Sequence, residues 1–264
     1  MEEVLDSILL GIVQGLTEFL PVSSSGHLVI AQELLNADLG QGILFEVAVH
    51  IATLFAILIF YRRRVAKLIY GTITRDRSSL EYAGKLIVGT LPAVVVALLF
   101  RHWIEEQFDS LLGVGICLIL TGFIVFSTKF TNKHSGSDEP TWTAAFLIGC
   151  VQAFAILPGI TRSGSTVAAG LALGLNPLAA AEFSFMLGMI AMAGAGILLL
   201  PELSSIDPAL ITSITFGSIA ALISGLMALA AFVWLLRTQR FYIFAWYAWV
   251  AGAITVAWAL AQQA

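Results

Sequence analysis

Charge is what this chain has least of. Of its 264 residues only 11% are Asp, Glu, Lys or Arg, against 59% that are hydrophobic, where a soluble domain usually carries about 25% charged residues. A water-soluble globule of this size could not cover its surface with so little charge. A soluble enzyme, a nucleic-acid binder and a disordered chain are therefore excluded. Cysteine is scarce too: Cys117 and Cys150 both lie in apolar runs and suggest neither a disulfide framework nor a zinc site. The alternation of apolar and polar residues that marks a membrane barrel is missing. The N-terminus, Met1-Glu2-Glu3-Val4-Leu5-Asp6, lacks the basic segment of a signal peptide and reads as part of the mature fold. What the chain does have is long continuous apolar sequence, with a mean hydropathy of +0.93. The class that remains is an all-α polytopic membrane protein.

A membrane helix needs about 20 apolar residues. Six segments qualify: 43–60, 84–100, 111–128, 182–200, 210–236 and 242–262. Two further apolar regions, 7–35 and 142–175, are interrupted near their middles, the first by Leu20-Pro21-Val22-Ser23-Ser24-Ser25-Gly26-His27 and the second by Leu157-Pro158-Gly159-Ile160-Thr161-Arg162-Ser163-Gly164-Ser165-Thr166. Each half is too short to span alone, so both regions read as re-entrant hairpins of helix, break and helix. Such backbone is tolerated at membrane depth only where protein buries it or water reaches it.

The few basic residues set the orientation. Arg62, Arg63, Arg64, Lys67, Arg75, Arg77 and Lys85 crowd the stretch 61–85, which is read as a cytoplasmic loop by the positive-inside rule. The loop from Arg101 to Asp109 is mostly acidic and falls outside. Lys129, Lys133, Arg237 and Arg240 return inside if region 142–175 is re-entrant, whereas a spanning 142–175 would put Arg237 and Arg240 outside. The hairpin reading is preferred, and both termini are expected outside. Arg162 alone is left within an apolar region.

The sequence also repeats itself. Gly11-Ile12-Val13-Gln14 resembles Gly149-Cys150-Val151-Gln152, Leu20-Pro21 resembles Leu157-Pro158, and Ser25-Gly26 resembles Ser163-Gly164, at an offset of 138 residues with a one-residue slip between; Glu46 and Glu182 match at nearly the same offset. Each half, 1–134 and 140–264, is then one hairpin plus three spans. An odd number of spans inverts the second half, so the two hairpin tips meet, as in transporters with broken helices.

Each break starts a new short helix, and helix N-termini with Ser-Gly turns offer free N–H groups to an anion such as phosphate. The same serines and glycines would also serve tight turns and close packing. Arg162 tips the balance, because a charge in the membrane core costs about 2.5–3.5 kcal/mol on insertion scales and is rarely idle there. Its guanidinium can grip phosphate oxygens bidentately; its structural alternative is an ion pair with Glu18, Glu46 or Glu182. Phosphate binding is expected from Arg162, Ser23, Ser25, Gly26, Thr161, Ser163, Gly164, Ser165 and Thr166. Gln14 and Glu18, four apart, share a helix face, and a carboxylate beside a phosphate group suggests a divalent metal, Mg2+ or Ca2+. His27 follows Ser24 by three residues and Ser23 by four, so it could serve either hydroxyl as base, attack phosphorus itself or protonate the leaving group. Glu46 and Glu182 are expected to accept hairpin-tip N–H groups, His50 to pack or to partner Glu46, and His102 and His134 to lie in loops without a role.

At these residues the chain resembles the undecaprenyl-diphosphate phosphatase family, the membrane enzymes linked to bacitracin resistance. Its Glu/Gln-x-x-x-Glu motif is matched by Gln14 to Glu18, and Leu-Pro-Val-Ser-Ser-x-Gly-His by Leu20 to His27. Its Pro-Gly-x-Ser-Arg-Ser motif is matched by Pro158 to Ser163, with Thr161 where serine is usual. The resemblance implies dephosphorylation of undecaprenyl diphosphate on the external side of the bacterial inner membrane, a divalent metal, and Glu18, Ser24, His27 and Arg162 as the active residues. In the mechanism expected, Ser24, activated by His27, attacks the terminal phosphorus; Ser23, Ser25, His27 and a metal-bound water are the other candidate nucleophiles. Gln14 and Glu18 would hold the metal. The expected partners are undecaprenyl diphosphate, the lipid bilayer and, as an oligomer, a second copy in a homodimer, with no nucleic acid. The rival class is a transporter or flippase for a phosphorylated lipid or small anion, which would not require Ser24, His27 and Glu18.

Overall fold

A computed structural model describes residues 2–35, 42–108, 110–131, 136–198 and 210–263. Among them run twelve α-helices: α1 Glu2–Phe19, α2 Ser24–Leu35, α3 Gly42–Phe60, α4 Arg62–Ile73, α5 Arg77–Leu99, α6 Arg101–Phe108, α7 Leu111–Ser127, α8 Trp142–Phe154, α9 Arg162–Ala172, α10 Pro177–Leu198, α11 Ile211–Arg237 and α12 Phe244–Gln263. The described residues include no β-strand; Ser137 and Leu175 form an isolated bridge.

The six expected spans fall on helices, except that 199–200 lie outside the described residues. The stretches Arg77–Leu99, Leu111–Phe130, Pro177–Ile197, Ile211–Arg237 and Phe241–Gln262 are each long and apolar enough to cross a membrane. The sixth, Leu44–Phe60, is bent by 81° into Arg62–Ile73. Two spans begin earlier than expected because polar residues cap them. Asp76 opens α5, accepting hydrogen bonds from the Ser78 hydroxyl at 2.7 Å and the Ser79 N–H at 2.9 Å. These bonds hold its carboxyl down to about 2. Asn176 accepts from the N–H of Ala179 at 2.9 Å and opens α10 with Pro177 in the first turn, where its missing N–H costs nothing.

Both interrupted regions are helix, break and helix, as expected: α1 and α2 around Leu20–Ser23, α8 and α9 around Ala155–Thr161. α1 departs from the short half anticipated. It starts at Glu2 and has 18 residues, about 27 Å at 1.5 Å per residue, although Glu2, Glu3, Asp6 and Glu18 make it less apolar than the spans. The stretch 61–85 is not a loop, since α4 and the start of α5 occupy it. His102 lies in α6 rather than in a loop. His134 and Lys133 fall outside the described residues.

α1 packs on α11, α8 on α5, α7 on α12 and α3 on α11. Three of these crossings are glycine on glycine backbone. A Cβ on Gly11 would overlap the carbonyl of Gly217, one on Gly149 that of Gly89, and one on Gly252 would press on that of Gly115. Small residues let helix backbones approach this closely. An aromatic chain then fixes the end of α1: Phe19 meets Phe185 edge-on at 5.7 Å, Phe185 meets Phe232 at 5.0 Å, and Phe232 meets Phe241 at 5.3 Å. Outward, α11 and α12 expose Ile219, Ile223, Trp234, Trp246, Val250 and Ile254, an apolar surface of the kind that lipid covers.

Candidate active site

The two breaks touch. In the first, Ser23 takes a left-handed backbone conformation at φ 69°. Its Oγ accepts the N–H of Gly26 at 3.4 Å, capping α2, and the N–H of Gly159 in the other break at 3.1 Å. In the second, Gly159 has φ 94°, open to glycine at little cost, and Thr161 caps α9 by accepting the N–H of Gly164 at 3.2 Å. Thr121 of α7 clamps this turn from behind, donating to the Gly159 carbonyl at 2.7 Å and accepting the Thr161 N–H at 2.9 Å. A Cβ on Gly26 would lie 3.1 Å from Gly159 Cα, and one on Gly164 2.9 Å from Pro21 Cβ. The N-termini of α2 and α9 therefore start side by side.

Glu18, in the last turn of α1 and 7% exposed, joins these elements. Its Oε1 is paired with Nη2 of Arg162, the first residue of α9. Its Oε2 accepts the Ser24 hydroxyl at 2.5 Å and the Gln14 amide N–H at 3.1 Å, and His50 Nε2 of α3 lies 3.8 Å away. Nη1 of Arg162 is buried with no hydrogen-bond partner. An unmet buried donor costs about 1–3 kcal/mol, more for a charged group, so an acceptor placed beside this N–H would be bound favourably. The guanidinium has room only because α10 carries Gly188 beside it, where a Cβ would overlap Nη1 and Cζ.

The expected pairing of Ser24 with His27 is not what the structure builds. His27 Nδ1 sits 2.7 Å from the Ser23 carbonyl, and Nε2 sits 2.7 Å from the Tyr247 hydroxyl of α12, with the two rings stacked at 5.6 Å. A carbonyl only accepts, so Nδ1 carries the hydrogen; in the neutral ring Nε2 then accepts from Tyr247. The Ser24 hydroxyl is left to Glu18.

Of the other expected phosphate ligands, Ser25 faces Ser23 Oγ at 3.3 Å and Ser163 reaches the Leu20 carbonyl at 3.5 Å. Ser25 and Gly26 lie in the first turn of α2, and Ser163 and Gly164 in the first turn of α9, which Thr161 caps. Ser165 is buried with an unpartnered hydroxyl. Thr166 turns away, its hydroxyl 2.5 Å from that of Ser184 on α10. Among the described residues Glu46 and Glu182 receive no tip N–H group. Glu46 accepts the Gln32 amide at 3.1 Å. Glu182 pairs with Arg64 at 2.7 Å and accepts the Tyr82 hydroxyl at 3.4 Å, tying α4 and α5 to α10. Sequence reasoning missed Gly188, Thr121 and Tyr247, and placed His50 no closer than Glu46. None carries a local pattern, and each enters only through a helix distant in the chain.

Comparison with known proteins bears on this arrangement. The sequence model of one family, described as bacitracin resistance protein BacA, matches residues 7–254. An undecaprenyl-diphosphatase of Rhodopirellula baltica is 39% identical over 260 residues, covering 97% of this chain and 98% of that protein. One of Desulforapulum autotrophicum is 36% identical, covering 96% and 98%. One of Halothermothrix orenii is 37% identical, covering 96% and 97%.

Proposed function

The chain belongs to the bacitracin resistance protein BacA family, and from that membership and the buried Glu18–Arg162–Ser24 cluster we infer that it is a multi-pass membrane phosphatase. It hydrolyses undecaprenyl diphosphate to undecaprenyl phosphate and inorganic phosphate, recycling the lipid carrier of cell-wall synthesis, and so acts in bacitracin resistance. The observation that carries the site assignment is the buried, unpartnered Nη1 of Arg162 at the junction of two helix N-termini. Cation, free N–H groups and dipole ends converge there on one anion position.

In this reading the terminal phosphoryl group enters between the tips. Arg162 Nη1 binds one of its oxygens, and the first N–H groups of α2 and α9 face the rest. The Ser24 oxygen attacks the terminal phosphorus while its proton passes to Glu18 Oε2, 2.5 Å away. The bond from phosphorus to the bridging oxygen breaks, and undecaprenyl phosphate leaves. Water then releases phosphate from Ser24 and restores the hydroxyl. His27, held between the Ser23 carbonyl and Tyr247, stands one turn along α2 and can exchange a proton through Nε2 with the departing oxygen or the incoming water.

The donor set fits a divalent ion of the kind that takes few protein ligands. Among the described residues no three His, Cys, Asp or Glu side chains converge. The Glu18 carboxylate and, with its amide turned by 180°, the unpartnered Oε1 of the fully buried Gln14 would hold such an ion, leaving further positions for diphosphate oxygens and water, as magnesium prefers. When bound, it supplies neutralisation of the charge that develops on the phosphate.

The placement of basic residues supports external termini and a site opening to the external face. The packing supports two inverted repeats, 1–134 and 140–264. α1 lies on α11 while its counterpart α8 lies on α5, the counterpart of α11, and the paired spans α7 and α12 meet each other. Gln14 and Gln152, matched in the repeat, are both buried with unbonded amide atoms.

The test is phosphate release from a polyprenyl diphosphate by purified protein in detergent with Mg2+, followed by trapping and mapping of a phosphoenzyme. Release with phosphate on Ser24 is the expected outcome. No release with metal present overturns the phosphatase reading. A label on His27, or no covalent species, overturns the role of Ser24.

A further inference from the structure

We propose that His50 is a metal ligand of this site, completing with Glu18 and Gln14 a mixed nitrogen–oxygen set that favours Zn2+ over Ca2+. The proposal rests on the phosphatase reading only in taking the site to hold a divalent ion.

The two oxygens of Glu18 are committed differently. Oε1 belongs to the Arg162 cation, whereas Ser24 and Gln14 bring neutral donors to Oε2. The imidazole of His50 turns Nε2 toward this second oxygen, 3.8 Å off. That is too long for a hydrogen bond, and is a separation that two ligands of one cation can span. The other ring nitrogen is fixed, with Nδ1 2.7 Å from the Glu46 backbone carbonyl. A carbonyl accepts, so the hydrogen sits on Nδ1, and a neutral ring then aims its Nε2 lone pair at a carboxylate. Two lone pairs facing each other across such a gap repel unless a proton on Nε2 or a shared cation lies between them, and the experiment below separates the two. A metal-bound histidine shows this same arrangement, with one nitrogen free for the ion and the other N–H anchored to a carbonyl or carboxylate.

Gln14 is the independent observation. It is 0% exposed, and its Oε1 has no partner although the same amide touches Oε2 of Glu18 through nitrogen. A 180° turn of the amide would exchange its hydrogen bond to Glu18 for an oxygen presented to an ion held by Glu18 and His50. Glutamine also supplies no charge here, so the site has one carboxylate where the family pattern allows two. Imidazole suits Zn2+, whereas Ca2+, Mg2+ and Mn2+ prefer oxygen, and a nitrogen donor in place of a second carboxylate moves selectivity toward the former. His50 is a third exposed, which leaves the position open to an entering ion.

The experiment loads the full chain in lipid nanodiscs with Mn2+, without substrate, and records pulsed EPR. The expected spectrum carries the 14N modulation of one directly bound imidazole. His50→Gln removes that modulation and weakens Mn2+ binding by roughly tenfold or more, and Zn2+ displaces Mn2+ from the unaltered protein at a lower concentration than Ca2+ does. Mn2+ bound without nitrogen modulation overturns the assignment, as does modulation that survives in His50→Gln or a failure to bind Mn2+ at all. The unaltered protein decides the matter alone if the variant does not fold. Phosphate release is measured separately, so a negative result here leaves the phosphatase reading standing.

Discussion

The guanidinium of Arg162 occupies the place where a side chain on Gly188 would be. Nη1 and Cζ both lie inside the volume of a Cβ at that position, so the cation sits directly on the α10 backbone. Gly188→Ala should therefore displace Arg162 while changing no polar group. We expect kcat to fall by roughly 10²-fold, the scale of losing one preorganised donor, with the helices intact by circular dichroism. Turnover like that of the unaltered protein would show that Arg162 can act from another position.

Arg162 itself should tolerate no exchange. Arg162→Lys keeps the charge but gives up the planar fork that pairs with Glu18 through Nη2 and offers Nη1 elsewhere, so activity should fall to a few per cent or less. Arg162→Ala should abolish activity and also destabilise, because it leaves Glu18 buried without its counter-charge, at about 3–5 kcal/mol. Removing the stranded carboxylate in Glu18→Gln/Arg162→Ala should restore much of the stability and none of the activity. Thermal unfolding of the two variants in detergent checks this. A double variant no more stable than Arg162→Ala would mean that the pair does not hold the tips together.

These two residues also show what could be read in the chain and what could not. Arg162 stood out because charge is so scarce that one cation in an apolar region needed an explanation. The breaks stood out because proline, serine and glycine cluster there against long apolar runs. Gly188 did not, since a glycine in an apolar helix means nothing until Arg162 is seen to lie on it from 26 positions away in the chain. The basic stretch 61–85 misled for a related reason. Its charges mark orientation and suggest a loop, whereas Val65 and Leu68 pack on the core and Gly71 against Ser79, enough to make Arg62–Ile73 a helix. The Ser24–His27 pair failed because helical spacing places side chains on one face but does not say which nearer acceptor each will take. Here the Ser23 carbonyl took one and Glu18 the other.

Tyr247 should matter to the reaction although it lies 220 residues from His27. Tyr247→Phe keeps the stacked ring and removes only the hydroxyl that donates to Nε2. The freed imidazole loses orientation, and kcat should drop about tenfold, part of the 10²–10⁴-fold that acid–base catalysis supplies. KM should change little, and the pH–rate profile should shift, a readout that mere loss of packing would not move. An unchanged profile and an unchanged kcat together would remove His27 from proton transfer.

The glycine crossings give a test of the two-fold arrangement that is independent of chemistry. Gly11 meets Gly217 where α1 crosses α11, and Gly149 meets Gly89 where α8 crosses α5. If the halves are related as proposed, Gly11→Ala and Gly149→Ala insert the same methyl into equivalent crossings. Each should then destabilise by a similar amount, about 1–3 kcal/mol for an overpacked site. Gly194 of α10, where a Cβ would meet nothing within 4 Å, is the control. Gly194→Ala should leave the unfolding temperature unchanged or raise it slightly through helix propensity. A large loss at Gly11 with none at Gly149 would show that the two crossings carry different loads, and the packing argument for a repeat would fall with it.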